Sequence, residues 1–287
     1  MPRCLRHGEI TDVLWSGYEL SDWLELAHKI LFPPSGSGRG RSAPTRIPMN
    51  RALLCLASVA LTSSVMAAPI LVGPFSTWSP SAGLGDDWKT VTFKNVDHQT
   101  HYTLTVDNGT TIIRADSQNS ASLLARKIDI DPEVSPILRW RWKILDTISK
   151  GNVHHKSGDD YAARLYITFD YDRRNLDFFD RVKAEVFNLF YGEYPPLRAI
   201  TYIWDHNNPQ GLVVANPYTD NVMMFVIESG SKNSRRWVHE QRNVVDDYRA
   251  AFGEPAPRIN GIALMTDSDN TGASATAWYG DISLGQF

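Results

Sequence analysis

The chain has 287 residues, 29 of them Lys or Arg and 32 Asp or Glu, for a formal net charge of −3 with no basic cluster. A dispersed balance of this kind gives no electrostatic footprint for nucleic acid. Both cysteines, Cys4 and Cys55, precede Ala68, so the chain beyond that point has no thiol for a disulfide, a nucleophile or a thiolate metal site.

In chain order, residues 1–48 carry Trp15, Tyr18 and Trp23 in a helix-like stretch, then a Gly/Ser/Arg/Pro run without apolar periodicity. Residues 49–68 read as a bacterial export signal. Asn50 and Arg51 form a basic start, Ala52–Leu61 is an apolar run too short to span a bilayer, and Val65-Met66-Ala67 is a small-x-small cleavage pattern. A signal is read efficiently only when it leads the nascent chain. The expectation is therefore that Met49 starts the protein, that 1–48 is a mis-called upstream segment, and that cleavage leaves 69–287 as a single β-sandwich domain. That domain would be periplasmic or secreted, with no transmembrane segment after signal cleavage. A cytoplasmic head with a membrane anchor fits less well, because Ser58, Thr62, Ser63 and Ser64 interrupt the apolar run.

From Ala68 onward the dominant pattern is period-two alternation bounded by Gly, Pro, Asn and Asp, the mark of half-buried strands. Tyr102–Val106 and Thr111–Ala115 open the series. In Leu138–Ile144, the apolar Leu138, Trp140, Trp142 and Ile144 oppose Arg139, Arg141 and Lys143. Tyr161–Phe169 repeats the arrangement, with Arg164, Tyr166 and Thr168 on the polar side. Ala199–Trp204, Val222–Glu228, Ile259–Thr266 and Ala275–Leu284 complete the set. Two segments switch to helical spacing. Leu176, Phe179, Val182, Val186, Leu189 and Phe190 recur between Asn175 and a stop at Gly192, and Asn243–Phe252 ends at Gly253 and Pro255. The expected class is mainly β, an antiparallel β-sandwich or jelly roll with one or two inserted helices.

Absent motifs remove whole classes of chemistry. There is no G-x-S-x-G, H-E-x-x-H, Walker loop or G-x-G-x-x-G opening a helix. His154 and His155 are adjacent on an extended stretch and point apart, which makes them poor joint metal ligands. Asp159 and Asp160 at a strand mouth, with Arg164 just inside, form a charged group suited either to a ligand surface or to a loop-stabilising ion pair. The Arg242–Asp247 segment also combines an Arg with acids, Asp246 and Asp247, and a charge-assisted contact between the two groups is expected. Flat rings stack on sugars, and Trp140, Trp142, Tyr202, Trp204, Trp237 and Trp278 are the pool, with Tyr202 and Trp204 the ligand candidates. Asp267-Ser268-Asp269-Asn270-Thr271-Gly272 places hard oxygen ligands at alternate positions. Trp278 stands where a helix-loop-helix calcium loop needs Glu, which excludes that type; the loop is expected to be either a plain Asx-rich hairpin loop, the favoured reading, or a structural calcium site of Asp267, Asp269 and Asp281, with no other cofactor.

Four ordered motifs carry a resemblance. GDDYAARLYITFD (158–170), TYIWD (201–205), W-x-x-E-x-R-N-V-x-x-D-Y-x-x-x-F-G (237–253) and GIALMTDSDNTG with WYGDI (261–282) resemble the bacterial exported family catalogued as domain of unknown function 3047. The resemblance implies export and a β-rich domain. With catalytic motifs missing, the leading expectation is an exported, non-catalytic binding protein for a glycan or cell-envelope component. The alternatives are a carbohydrate- or envelope-polymer-active hydrolase pairing Asp159 or Asp160 with Asp246, Asp247 or Glu240, and a structural envelope protein whose inserted helix meets a partner.

Overall fold

Trp140 on one strand stacks on Tyr202 from another, ring centroids 5.1 Å apart, and this pair shows how the molecule is built. Each ring belongs to a different sheet. The computed structural model describes residues 68–93, 96–170 and 198–286. The expected signal segment up to Ala67 and the expected helix over 175–190 lie outside them.

One sheet runs β1 (Ile70–Gly73), β14 (Ile282–Gly285), β6 (Ile137–Ile144), β13 (Ser274–Tyr279), β4 (Thr110–Gln118), β3 (His101–Asp107), with β11 (Val238–Asn243) also on β6. The other runs β2 (Trp88–Thr92), β5 (Ser122–Ile130), β12 (Ile259–Met265), β7 (Arg164–Phe169), β8 (Arg198–Asp205), β10 (Thr219–Ser229), β9 (Val213–Asn216). Pairing is antiparallel except between β8 and β10, which lie parallel with Ala199 opposite Val222. The class is mainly β, sandwich-like, as the alternation implies.

The alternation of β6 explains the core. Leu138, Trp140, Trp142 and Ile144 are all buried, while Arg139, Arg141 and Lys143 stay half-exposed on the outer face. Trp142 meets Trp204 across the sheets at 5.9 Å. Truncating such a ring to Ala costs about 3–5 kcal/mol, so this aromatic layer is a principal tie between the sheets. Helix α1 (Val244–Phe252) seals one edge. Asn243 caps it by accepting from the amides of Val245 and Asp246, Gly253 closes it in the left-handed region at φ 71°, and Tyr248 packs on Phe169 at 4.6 Å.

The segment expected as one strand, 275–284, is two. β13 pairs with the C-terminal end of β6 and β14 with its N-terminal end, the break falling at Gly280 and Asp281. A Cβ on Gly280 would run into the stem of Arg141, so the chain bends where that side chain crosses it. On the second sheet, Leu165 pairs with Tyr202 facing the core, and Arg164 pairs with Ile203 facing outward. That outward face of β7 and β8 is the platform for the polar network below.

Candidate functional site

Arg164 is buried to 1% exposure although it lies on the outer face, because two loops fold over it. Its Nε donates to Asp267 Oδ1 at 2.9 Å, its Nη2 to Asp267 Oδ2 and to the Asp159 carbonyl, and its Nη1 to Asp159 Oδ1 at 3.3 Å. Nη1 also reaches Tyr166 Oη at 3.2 Å, and the Tyr161 ring lies 4.3 Å under the guanidinium. Burial works against this charge, but Asp159 and Asp267 outweigh it and hold the guanidinium ionised.

The loop 267–273 is fixed from below. Ser268 is buried, shares a hydrogen bond with Ser117 at 2.7 Å and takes the Ser120 carbonyl at its amide. Asp160 accepts from the amides of Asn270 at 3.2 Å and Thr271 at 2.6 Å, tying the two loops together. Asp159 accepts the Asn216 amide at 3.0 Å. Above them stands Tyr218, 51% exposed, whose hydroxyl receives the Asn270 amide at 3.2 Å and reaches the Lys156 carbonyl at 3.3 Å. Lys156 Nζ lies 5.0 Å over its ring.

Asp160, Asp267 and Asp269 each offer an oxygen, all within 4.8 Å of one another. Burial pushes the Asp267 carboxyl well up, with Arg164 opposing and Asp160 adding to it; burial and then Asp160 raise Asp269 as well. Of the three, Asp267 alone pairs with Arg164, and the raised Asp267 and Asp269 carboxyls are where a proton or a hard cation would relieve the crowding. Asp281 stands apart from this group. Its oxygens accept from the Ser76 amide at 2.7 Å and hydroxyl at 2.5 Å beside β1, and Asp160 is the third acid in its stead.

The expected contact between the strand mouth and the Arg242–Asp247 segment does not form. Arg242 binds Asp247 through Nε at 2.8 Å and through Nη2, and Asp247 also accepts from Tyr202 Oη at 2.8 Å, all on the core-facing side of β8. Asp246 is exposed on α1, 3.9 Å from Arg249. Tyr202 and Trp204 are buried under the opposite sheet, out of a ligand's reach; the Trp204 indole N–H is spent on the Gly230 carbonyl at 3.0 Å.

A second acid group sits at the β11 edge. Glu240 accepts from the Trp142 indole at 3.1 Å, and burial followed by the nearby Glu228 pushes its carboxyl up to about 7. Glu228 is itself buried and held by Gln210 at 3.1 Å and Asn233 at 2.9 Å. Glu228, Asn216 and Tyr218 escape a reading of the sequence. Only the Asn216-Pro217-Tyr218 turn leaves a local trace there, and a turn alone does not say what it faces.

The molecule is thus a two-sheet β-sandwich carrying a polar network on one outer face. The chain belongs to the family described as Protein of unknown function (DUF3047), whose model matches residues 86–283. No curated protein matches it. Among solved structures it is similar to a cellulose induced protein, Cip1, at 9% identity and TM-score 0.31, over 73% of this chain and 94% of that one. It is also similar to the carbohydrate recognition domain of Emp47p, at 12% identity and TM-score 0.33, over 73% and 99%.

Proposed function

We propose that the protein is an exported, non-catalytic glycan-binding module whose ligand seats on Tyr218. One observation carries the reading. The loops 156–160, 216–218 and 267–271 converge to present a half-exposed ring whose hydroxyl receives the Asn270 amide and feels the half-buried Asp269 carboxylate, over a foundation that is buried and hydrogen-bonded. A flat ring beside amides and carboxylates is the chemistry that recognises a pyranose face and its hydroxyls. The acids beneath are committed as acceptors, Asp159 and Asp267 to Arg164 and Asp160 to two amides, which favours holding a ligand over transferring a proton. The pattern at 49–68, read as an export signal, supports work outside the cytoplasm; N-terminal sequencing of the native product should find a start at Ala68 or Pro69.

A glycan array with the purified protein, repeated with Tyr218→Ala, tests it. Binding should fall about tenfold in the variant, the loss expected for one stacking contact, with an unchanged Tm. An array on which the wild-type protein binds nothing, or on which the variant binds equally, overturns the reading. A second reading, hydrolysis, is favoured by Glu240, since a carboxyl near neutral pKa beside another carboxylate suits acid–base work. Loss of polysaccharide cleavage in Glu240→Gln would support it; absence of cleavage by the wild-type protein would end it.

A further inference from the structure

The outer face of β6 presents two guanidiniums with no carboxylate partner among the described residues. Lys143 on that face is neutralised by Asp107 at 2.6 Å. Arg139, by contrast, donates among the described residues to Gln241 Oε1 at 2.9 Å and to the Gln286 carbonyl at 3.4 Å, both uncharged. Arg141 forms no ion pair among the described residues, Asp107 acting on it only at a distance; its guanidinium lies 4.6 Å over the Trp237 ring and its stem crosses Gly280. Between β11 and β14 these side chains border a cleft of about 390 Å³ with His239, Gln241, Asp281 and Ser283. The register explains the gathering: His239 pairs with Arg141, and Gln241 and Ser283 both pair with Arg139, so all stand on one face. Two acids also line the cleft: Ser76 already gives Asp281 two donors, and Glu240 accepts from the Trp142 indole.

We propose that this cleft binds the carboxylate of a uronic-acid residue in an acidic saccharide, at a site separate from Tyr218 and independent of it. A guanidinium fork matches a planar carboxylate with two parallel hydrogen bonds. Arg141 is already held by Trp237 and Gly280, so little ordering is needed when an anion arrives. Apart from Trp140 the lining residues are polar, and Gln241, His239 and Ser283 offer donors and acceptors matched to hydroxyls, which favours a sugar acid over an acidic peptide.

The test is calorimetric titration of the full chain with galacturonic-acid oligomers, the same oligomers reduced to the neutral sugar, inorganic sulfate and a poly-glutamate peptide. The uronate oligomer should bind, weaken as salt is raised, and lose at least tenfold in Arg141→Gln and in Arg139→Lys, which keeps the charge but not the fork. Tyr218→Ala should leave it intact, so failure of this site and failure of the Tyr218 site are distinguishable. Trp237 emission should shift on binding in the wild-type protein and not in Arg141→Gln. The proposal is overturned if the reduced oligomer, sulfate or the peptide binds as tightly as the uronate, if the wild-type protein binds no uronate, or if both Arg variants bind it unchanged with native Tm.

Discussion

At the scale of single residues, Arg164 decides how the outer network stands. A buried ion pair contributes little net stability when intact, but removing one partner strands the other charges without water. Arg164→Met should therefore destabilise by about 3–5 kcal/mol, because it leaves Asp159 and Asp267 buried and facing each other. Urea unfolding checks this, and a loss below about 1 kcal/mol would mean that those acids find other donors or protonate without consequence. The chemistry of this residue was legible: acids at a strand mouth with an Arg one step inward were visible as a charged group. Its partners were not equally so. Asp267 lies 103 positions away and Asn216 is 57 from Asp159; the β7–β12 pairing closes the first distance, and the β7–β8, β8–β10 and β9–β10 pairings close the second. The same limit explains Asp281, which is near Asp269 in sequence yet turns to Ser76.

At the scale of elements, strands with a clean alternation were legible and polar ones were not. β6 and the C-terminal part of 161–169 declare themselves because one face meets the opposite sheet and the other meets water. β11 reads VHEQRN, without apolar periodicity, and becomes a strand because β6 offers it an open edge along Ile137–Trp142. β5 carries Arg126, Lys127 and Asp129, and its burial alternates only in part. The break between β13 and β14 is a change of phase: the buried positions are 275, 277 and 279 before it and 282 and 284 after it, and Gly280, with no Cβ, lets the Arg141 side chain cross at the switch. Gly280→Ala should accordingly cost about 1–3 kcal/mol as an overpacked contact and push Arg141 off Trp237. The expected readout is a lowered Tm together with weakened binding of galacturonic-acid oligomers. A variant with wild-type Tm and wild-type binding would show that the Arg141 stem yields without consequence.

At the scale of the whole molecule, the charged groups set a pH dependence with a definite sign. Glu240 has a folded value near 7 against an ordinary 4.5, raised by burial and by Glu228, so between those values the folded protein holds a proton that the unfolded chain has released. Stability then falls as pH rises through this window and is fully relieved of the penalty below about pH 4.5. Asp267 and Asp269 are raised by burial and act in the same direction. Asp107 acts oppositely: the hydrogen bonds from Lys143 and then Trp237 lower it, so its contribution is lost only as pH falls through its folded value. The sum places maximal stability in mildly acidic solution, with Tm declining from about pH 5 to pH 8. Glu240→Gln should flatten part of that decline, raising Tm at pH 8 and leaving it nearly unchanged at pH 5. For a half-buried group, solvent screening reduces the gain to about 1–2 kcal/mol. Millimolar calcium added to chelator-treated protein should flatten another part by neutralising Asp160, Asp267 and Asp269, and that effect should vanish in Asp269→Asn while persisting in Glu240→Gln. Melting curves that superimpose from pH 5 to pH 8 would show that these carboxyls titrate alike in the folded and unfolded chain. A pH slope that calcium leaves untouched would assign relief of the three-acid cluster to protons alone.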